Sequence, residues 1–281
     1  MILITGATGF IGSHLVKELV RDYKLRCIIR KSQEPTQNIE FIYGDISKMD
    51  SLEKAFQKVD TVIHVAALTQ GSSQEIIKAN VEGTRNLVLL SKKYKIKRFI
   101  LISSNNVLLK HKGPYASSKL QSENIVMTSG LDYIILRPNW VYDHKGNRDL
   151  KNIISLVKKT PLVPIIGNGR YKFQPVYVKD LVSVIKKTLE NKILKNKIYA
   201  VNGSESLSFD ELIDEISKDL NLRRRKIHIP LALLRLIPSR IISQDRITEI
   251  IQDKVGDNKE AIKDFNFQPI SIKESLRKML K

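Results

Sequence analysis

Tyr115 and Lys119 stand four positions apart at the start of a predicted helix, so their side chains share one face of it. A free phenol has a pKa near ~10 and is a poor base at neutral pH, but a neighbouring ammonium group favours the phenolate and lowers that pKa. Ser104 follows a predicted strand, residues 99–102, where its hydroxyl can hydrogen-bond a reacting hydroxyl or carbonyl group. These three side chains are therefore candidates for a site that exchanges a proton with a substrate.

A glycine-rich turn lies between the first predicted strand, residues 2–5, and an amphipathic helix. The first glycine permits a tight turn, the second lets the backbone approach a pyrophosphate, and the third lets the helix pack closely on the strand. The amino end of the helix then offers free N–H groups and a partial positive charge to the phosphates. This placement predicts a dinucleotide site, with contacts from Gly6, Thr8, Gly9, Phe10, Ile11 and Gly12.

The catalytic prediction depends on this turn. Most tyrosine–lysine pairs four apart lie on solvated helix surfaces, and only a helix that follows the serine strand of a dinucleotide-binding fold makes Tyr115 and Lys119 a candidate site.

The second predicted strand indicates which dinucleotide binds. An acid often ends this strand and binds the ribose hydroxyls of NAD, but here Arg30 and Lys31 occupy its end. Two basic residues can instead meet the 2′-phosphate of NADP, or they can be ordinary solvated residues of a basic protein. We expect NADP or NAD, with NADP slightly favoured.

The elements that must position these residues alternate between strands and helices. Several predicted strands are nearly continuous in Ile, Leu and Val, which is typical of strands buried on both faces of a parallel sheet. The alternation predicts an α/β fold with a Rossmann-like, doubly wound sheet. The predicted strands are residues 2–5, 26–30, 40–43, 61–65, 99–102, 133–136 and 198–201.

The pattern loosens after about residue 140, so we predict a dinucleotide-binding domain over residues 1–140. Residues 141–281 are predicted to form a smaller substrate-binding region, partly interleaved with the first. Prolines and glycines between Pro161 and Gly169 indicate a loop-rich stretch. Asp50 with Glu53, and Ser208 with Glu211, have the spacing of capping boxes and predict two helix starts.

Length and composition exclude several classes of protein. The 281 residues are 42% hydrophobic, which is ordinary for one or two globular domains, and no apolar run approaches the roughly 18 residues of a membrane helix. The first residues are predicted to form a strand, so no signal peptide is expected. Cys27 is the single cysteine, which fits a reducing cytoplasm, and its apolar setting predicts a core residue. The five histidines lack metal-ligand spacing, so no metal is expected.

The formal net charge of +19 is high. Because lysines are spread along the whole chain, a solvated basic surface is favoured over a nucleic-acid or acidic membrane partner. The one dense basic run, Arg223 to Lys226, contains no aromatic residue that could stack on bases. Residues 229–242 are apolar with basic interruptions, and packing on their own domain is favoured over contact with a membrane surface.

Seven short motifs follow one another along the first half of the chain: Thr5-Gly6-Ala7-Thr8-Gly9-Phe10-Ile11-Gly12, Gly44-Asp45-Ile46, His64-Val65-Ala66-Ala67, Asn80-Val81-Glu82-Gly83-Thr84, Ser103-Ser104, Tyr115-Ala116-Ser117-Ser118-Lys119 and Leu136-Arg137-Pro138. With a looser match over residues 174–180, the set resembles the extended short-chain dehydrogenase/reductase superfamily, specifically its NAD-dependent epimerase/dehydratase family. The set is specific for the family but not for a substrate.

The resemblance implies roles for the matching residues. Tyr115 would be the general acid/base while a hydride moves between a substrate carbon and nicotinamide, and Lys119 would also hydrogen-bond the nicotinamide ribose. The carboxy-terminal part would form a substrate lid. Further cofactor contacts would come from Asp45 and Ile46 beside the adenine, Val65, Ala66 and Ala67 along the cleft, Asn80 behind it, and Pro138 and Asn139 near the nicotinamide.

Three features depart from the family pattern. Sugar dehydratases carry an Asp-Glu pair where this chain has Asn105 and Asn106, so a 4,6-dehydratase is disfavoured. Only eleven positions separate Ser104 from Tyr115, so part of a usual substrate-binding loop is missing. The second half resembles an atypical branch that includes a cofactor-holding accessory subunit of respiratory complex I.

Two functions from different classes therefore compete. The first is an NAD(P)-dependent oxidoreductase or epimerase that acts at a carbinol or carbonyl carbon of a small molecule, with a nucleotide-linked sugar favoured. The second is a non-catalytic NAD(P)H-binding accessory or assembly protein. The intact set of Ser104, Tyr115 and Lys119 favours the enzyme, since a scaffold has no chemical need for an activated tyrosine. Relatives are often dimers, so a homodimer is a further expectation of the resemblance.

Overall fold

The computed structural model describes residues 1–31, 37–143, 148–234 and 244–280. The strands are β1 (Ile2–Thr5), β2 (Leu25–Ile29), β3 (Ile39–Tyr43), β4 (Thr61–His64), β5 (Arg98–Ile102), β6 (Tyr133–Pro138), β7 (Val141–Tyr142), β8 (Leu162–Ile166), β9 (Lys172–Phe173), β10 (Val176–Tyr177), β11 (Lys197–Val201), β12 (Leu207–Ser208) and β13 (Arg225–Ile229). The α-helices are α1 (Phe10–Leu19), α2 (Ser73–Ile77), α3 (Gly83–Lys93), α4 (Pro114–Met127), α5 (Arg148–Lys159), α6 (Val178–Glu190), α7 (Phe209–Asp219), α8 (Leu231–Leu234), α9 (Gln244–Ile250), α10 (Lys259–Phe265) and α11 (Ile272–Leu280).

Seven strands form one sheet in the order β11-β6-β5-β4-β1-β2-β3. Neighbours among β1 to β6 pair in parallel. Every residue of β1, β2 and β5 is buried, which explains their continuous runs of apolar residues. All seven predicted strands are present within one or two residues of their expected bounds, and the strand order reverses beside β1. The prediction of a Rossmann-like, doubly wound sheet is confirmed.

The chain divides into two compact units. The first comprises residues 1–107, 114–137 and 182–199, and the second comprises residues 108–113, 138–181 and 200–281. The break between residues 137 and 138, near the end of β6, lies close to the expected boundary at 140. Residues 108–113 belong to the second unit and residues 182–199 to the first, so the two units are interleaved in sequence. The assignment of cofactor and substrate to separate parts of the chain stays a prediction.

The second unit contains a strand that sequence reasoning missed. The stretch expected to be loop-rich contains β8, which pairs in parallel with β13, with Pro164 opposite Ile227. A proline cannot donate a ladder hydrogen bond, so it is confined to edge strands. This two-stranded sheet consists only of edges, which is why Pro164 does not prevent a strand.

One predicted capping box is present and the other is not. The Ser208 side chain accepts a hydrogen bond from the Glu211 N–H, the Glu211 carboxylate accepts one from the Ser208 N–H, and α7 begins there. The box at Asp50 and Glu53 was wrong: short 3-10 helices occupy Met49–Ser51 and Glu53–Phe56 without a side-chain cap. Ser51 Oγ instead bonds the Lys48 carbonyl, which holds the segment in a tight turn.

Two predictions from composition can be compared with the structure. Cys27 is fully buried in β2, and burial raises the pKa of its thiol to about 12, so its assignment to the core is confirmed. Of residues 229–242, α8 is described, while 235–242 lie outside the described residues. Among the described helices, none has the length and apolar character needed to cross a bilayer.

Arg98 ties the end of α6 to the central sheet. It lies at the start of β5, is 8% exposed, and burial lowers the pKa of its guanidinium. Its guanidinium donates to four backbone carbonyls at the end of α6 and beyond: Thr188, Asn191, Lys192 and Leu194. One side chain thus satisfies carbonyls that a helix end would otherwise leave unpaired.

Replacing Arg98 with Met is expected to lower the free energy of unfolding by roughly 3 kcal/mol, because part-buried carbonyls lose their donors. Urea unfolding followed by circular dichroism measures this change. Arg85→Met, at an exposed position on α3, is the control and is expected to change stability by less than about 0.5 kcal/mol. Equal unfolding midpoints for the two variants would contradict the capping role of Arg98.

Candidate active site

At two positions of the glycine turn after β1, the packing leaves no room for a side chain. Gly6 has φ +72°, and a Cβ atom there would lie 2.6 Å from the backbone nitrogen of Ala66. A Cβ atom on Gly12 would lie 2.0 Å from the carbonyl oxygen of Gly6. The turn is therefore pressed against the residues that follow β4 on one side and against α1 on the other. Both contacts need glycine.

The amino end of α1 is open. Gly9 precedes the helix, no side chain caps it, and Thr8, Gly9 and Phe10 are exposed. The N–H groups of a first helical turn have no partner within the helix, so here they are available to an anion. The glycine turn and the uncapped helix end together form a cradle that fits a dinucleotide pyrophosphate. Ile11, also predicted to contact the cofactor, is half-buried in this turn.

The residues expected beside the adenosine lie at the ends of β2 and β3. Arg30 and Lys31 are exposed, and Asp45 accepts two hydrogen bonds of 2.9 Å from the Ser47 N–H and hydroxyl. Partial burial opposes it, but these bonds and the charge of Arg30 lower the pKa of the Asp45 carboxyl. The Ile46 side chain packs where a Cβ on Gly83 would be, at 2.7 Å.

A buried hydrogen-bond chain crosses the ends of β1 and β4. His64 Nδ1 lies 2.7 Å from Thr5 Oγ1, and His64 Nε2 lies 3.0 Å from Thr84 Oγ1. The Thr84 hydroxyl donates to the Asn80 carbonyl, so Nε2 must donate to Thr84 and Nδ1 must accept from Thr5. Burial, helped by the charge of Lys119, holds the pKa of His64 well below its usual range. His64 is therefore neutral, in the tautomer protonated at Nε2.

Asn80 fastens the loop after β4. It lies in a π-helical turn, Lys78–Glu82, between α2 and α3. Its side chain accepts from the Leu68 N–H (2.7 Å) and donates to the Leu68 carbonyl (3.0 Å) and to Ser118 Oγ (2.9 Å). Val65 and Ala66 are half-buried and Ala67 is exposed in the loop that this amide fixes. Asn80 thus links the expected cofactor cleft to α4.

Tyr115 and Lys119 lie on α4, one turn apart. Tyr115 is half-buried, and its carbonyl accepts from Ser118 Oγ at 2.8 Å. Lys119 is 1% exposed, and burial lowers the pKa of its ammonium to about 8, although the charge of Glu123 acts in the opposite direction. A lysine on a solvated helix face would be exposed. Lys119 is therefore not one of the solvated surface lysines that the sequence left as an alternative.

Ser104 is half-buried just after β5, and its Oγ accepts from the Asn106 N–H at 3.2 Å. Pro138 and Asn139 are buried, and the Asn139 side chain is engaged within the second unit. Its amide donates to the Lys254 carbonyl and its oxygen accepts from the Trp140 N–H. The predicted contact of these two residues with nicotinamide stays a prediction.

Sequence reasoning missed an ion pair beneath Lys119. Glu123 is fully buried one turn further along α4. Arg137 on β6 donates two hydrogen bonds to its carboxylate, from Nε at 2.9 Å and from Nη2 at 2.6 Å. Arg137 was noted only as part of a motif. The spacing of Glu123 four residues after Lys119 could have suggested a charge partner on α4, but no sequence pattern points to Arg137 on β6. Lys119, Glu123 and Arg137 together leave one positive charge in excess.

These features define a class of nucleotide-binding oxidoreductases, in which a glycine turn at the reversal of a parallel sheet accompanies a tyrosine and a buried lysine on a neighbouring helix. Residues 2–201 match the model of the NAD dependent epimerase/dehydratase family, and the chain belongs to that family. The resemblance seen in the sequence motifs is confirmed.

Curated relatives are distant but cover most of the chain. A UDP-glucose 4-epimerase from Vibrio cholerae is 25% identical over an alignment of 294 positions. The alignment covers 93% of this chain and 89% of that one. An N-acetyl-α-D-glucosaminyl-diphospho-undecaprenol 4-epimerase from Escherichia coli O157:H7 is 24% identical, covering 83% of this chain and 76% of that one. Both are enzymes, which favours the catalytic interpretation over the accessory one.

Solved structures agree in fold. A UDP-glucuronic acid 4-epimerase from Bacillus cereus, in complex with UDP-glucuronic acid and NAD, superposes with a TM-score of 0.82 at 23% identity. The match covers 99% of this chain and 97% of that one. The two chains therefore share their architecture along nearly the whole length.

Gly12→Ala and Gly9→Ala are expected to separate packing from cofactor binding. An added methyl at Gly12 meets backbone at 2.0 Å, so this variant is expected to lose more than about 2 kcal/mol of stability. At Gly9 the nearest atom is 3.2 Å away, so that variant is expected to keep its melting temperature within a few degrees while binding NADH at least tenfold more weakly. Thermal melts and fluorescence titration with NADH measure both effects. Unchanged NADH affinity in Gly9→Ala would contradict the placement of the pyrophosphate.

Proposed function

We propose that the protein is an NAD(P)-dependent epimerase or reductase that acts on a carbinol carbon of a sugar carried on a diphosphate. One observation carries the proposal: Lys119 is buried one helical turn from Tyr115, in a chain of the epimerase/dehydratase family. A buried ammonium at that distance has no structural need that an apolar side chain would not meet better.

Tyr115 is proposed to accept the substrate hydroxyl proton at Oη and later to return it. The single positive charge in excess beneath it favours the phenolate, because ionising the phenol would neutralise the group of charges. His64 supports this role by staying neutral, so it adds no second cation whose charge would vary with pH. Ser104 is proposed to hydrogen-bond the same substrate oxygen and to orient it.

The cofactor is proposed to lie in the glycine cradle, held by the open end of α1, by Asp45 and Ile46, and by the loop that Asn80 fastens. A nicotinamide held there would supply hydride transfer to or from the substrate carbon, reversed within one turnover in an epimerase and one-way, with exchange of the cofactor, in a reductase. The exposed Arg30, at the end of β2 where an acid would select NAD, supports a preference for NADP. The family as a whole is NAD-dependent, so both cofactors belong in any assay.

The substrate class rests on the relatives. Their substrates, by name, are sugars joined to UDP or to a lipid diphosphate, so the shared chemistry is a hexose on a diphosphate. Asn105 and Asn106 follow Ser104, and an amide cannot supply the acid and base that elimination of water requires. Epimerisation or reduction is therefore proposed rather than dehydration. We place the substrate-binding part in the second unit and the enzyme in the cytoplasm.

Tyr115→Phe is expected to lower kcat on UDP- and dTDP-hexoses by at least about a thousandfold, because it removes the proton acceptor. Product analysis with NAD, NADP and NADPH, each added or omitted, tests turnover and cofactor preference together. Tyr94→Phe, at a half-buried tyrosine on the first unit, is the matched control and is expected to keep its kcat. No turnover of any such sugar by the wild type, or full activity in Tyr115→Phe, would refute the proposal.

The rate is expected to fall with rising pH on the alkaline side. As the pH rises through about 8, the ammonium of Lys119 loses its proton, and the phenol, no longer beside a charge, returns toward its ordinary pKa and stays protonated. A profile of kcat/KM against pH reports the free protein and should therefore bend downward near 8. Lys119→Arg keeps its charge, so whatever activity it retains should lack this bend. A profile that is flat to pH 10 in the wild type would contradict the role of Lys119.

A further inference from the structure

The outer face of the β8–β13 sheet is apolar and exposed. Val163 and Ile165 point inward and are fully buried, whereas Leu162 and Pro164 alternate with them and are exposed. On the paired strand, Ile227 stands opposite Pro164 and is 47% exposed. We call this face, with Ile166 and Ile229 at its half-buried end, the outer face. Exposed apolar side chains on neighbouring strands can form an interaction surface.

Exposed cations lie along one edge of the outer face. Because β8 and β13 are parallel, both strands begin at the same edge. Lys158 and Lys159 end α5 immediately before β8, and Arg223 and Arg225 lie at the start of β13. Arg224 ties the two segments together by donating to the carbonyls of Val157 (2.6 Å) and Lys158 (3.1 Å).

The two faces of this sheet differ in how their charges are balanced. On the inner side, Lys226 pairs with Asp214 at 2.7 Å and His228 pairs with Asp210 at 2.9 Å. Across the described part of the chain, no carboxylate forms an ion pair with the four cations of the outer edge. The outer face thus combines an apolar surface with an edge of unbalanced positive charge.

We propose that the outer face docks the protein on an anionic lipid surface. Apolar side chains enter the boundary between headgroups and acyl chains, while the cations attract anionic headgroups, and the two contributions add. A second copy of this chain seated on the same face is disfavoured, because it would bring two cationic edges into one interface without carboxylates between them. Docking would hold a protein without a described membrane-spanning helix at a bilayer.

Co-sedimentation with vesicles tests the proposal. The wild type is expected to bind vesicles of phosphatidylcholine mixed with phosphatidylglycerol, to bind pure phosphatidylcholine at least tenfold more weakly, and to dissociate as salt rises. Leu162→Ser combined with Ile227→Ser is expected to weaken binding to the mixed vesicles at least tenfold, and so is Arg223→Glu combined with Arg225→Glu. Ile193→Ser changes an isoleucine of the first unit that is 89% exposed, and this control should bind as the wild type does.

Three results would overturn the proposal. The wild type could fail to bind the mixed vesicles, or both double variants could bind them as tightly as the wild type does. In the third result, the apolar double variant binds the vesicles as the wild type does but has a lower molecular mass by light scattering. The last result would make the outer face a contact between protein chains. Melting temperature and NADH binding of each variant show whether it is folded. Neither depends on lipid, so failure here leaves the proposed enzyme function intact.

Discussion

A single buried ammonium group constrains much of the first unit. Lys119 is removed from water on α4, and burial by itself disfavours its charge. The surroundings compensate in two ways. Glu123 supplies a negative charge one turn away, and His64 stays neutral because burial, helped by the charge of Lys119, holds its pKa well below the usual range. Both ring nitrogens of His64 are hydrogen-bonded to threonine hydroxyls. Arg137 in turn holds Glu123, so the carboxylate is not an unpaired buried charge.

These contacts join the catalytic candidates to the cofactor cradle. The hydrogen-bond chain from Thr5 through His64 to Thr84 begins one residue before the glycine turn and ends at the carbonyl of Asn80. The Asn80 side chain then reaches Ser118, next to Lys119 on α4. These hydrogen bonds connect the loop after β4 with the helix that carries Tyr115. The candidate site is therefore part of a buried polar network and not three isolated side chains.

The fold could be predicted well from the sequence, for a physical reason. Strands buried on both faces must be apolar throughout, so β1, β2 and β5 are visible in the chain, and the glycines of the turn are fixed by backbone contacts. The ion pair of Glu123 with Arg137 joins residues on different elements, and its burial cannot be seen in a sequence. β8 was missed because its proline is tolerated only on an edge strand, and the capping box at Asp50 was displaced by local bonds of Ser51.

The central claim is that Lys119 makes the phenol of Tyr115 easier to ionise, and the direct test is a pH titration of that phenol. With the tyrosine ring carbons labelled, NMR can follow the signal that Tyr115→Phe removes, in the wild type and in Lys119→Met. The account predicts that Tyr115 ionises at a lower pH in the wild type than in Lys119→Met. Ionisation of Tyr115 at the same pH in both folded proteins would contradict it.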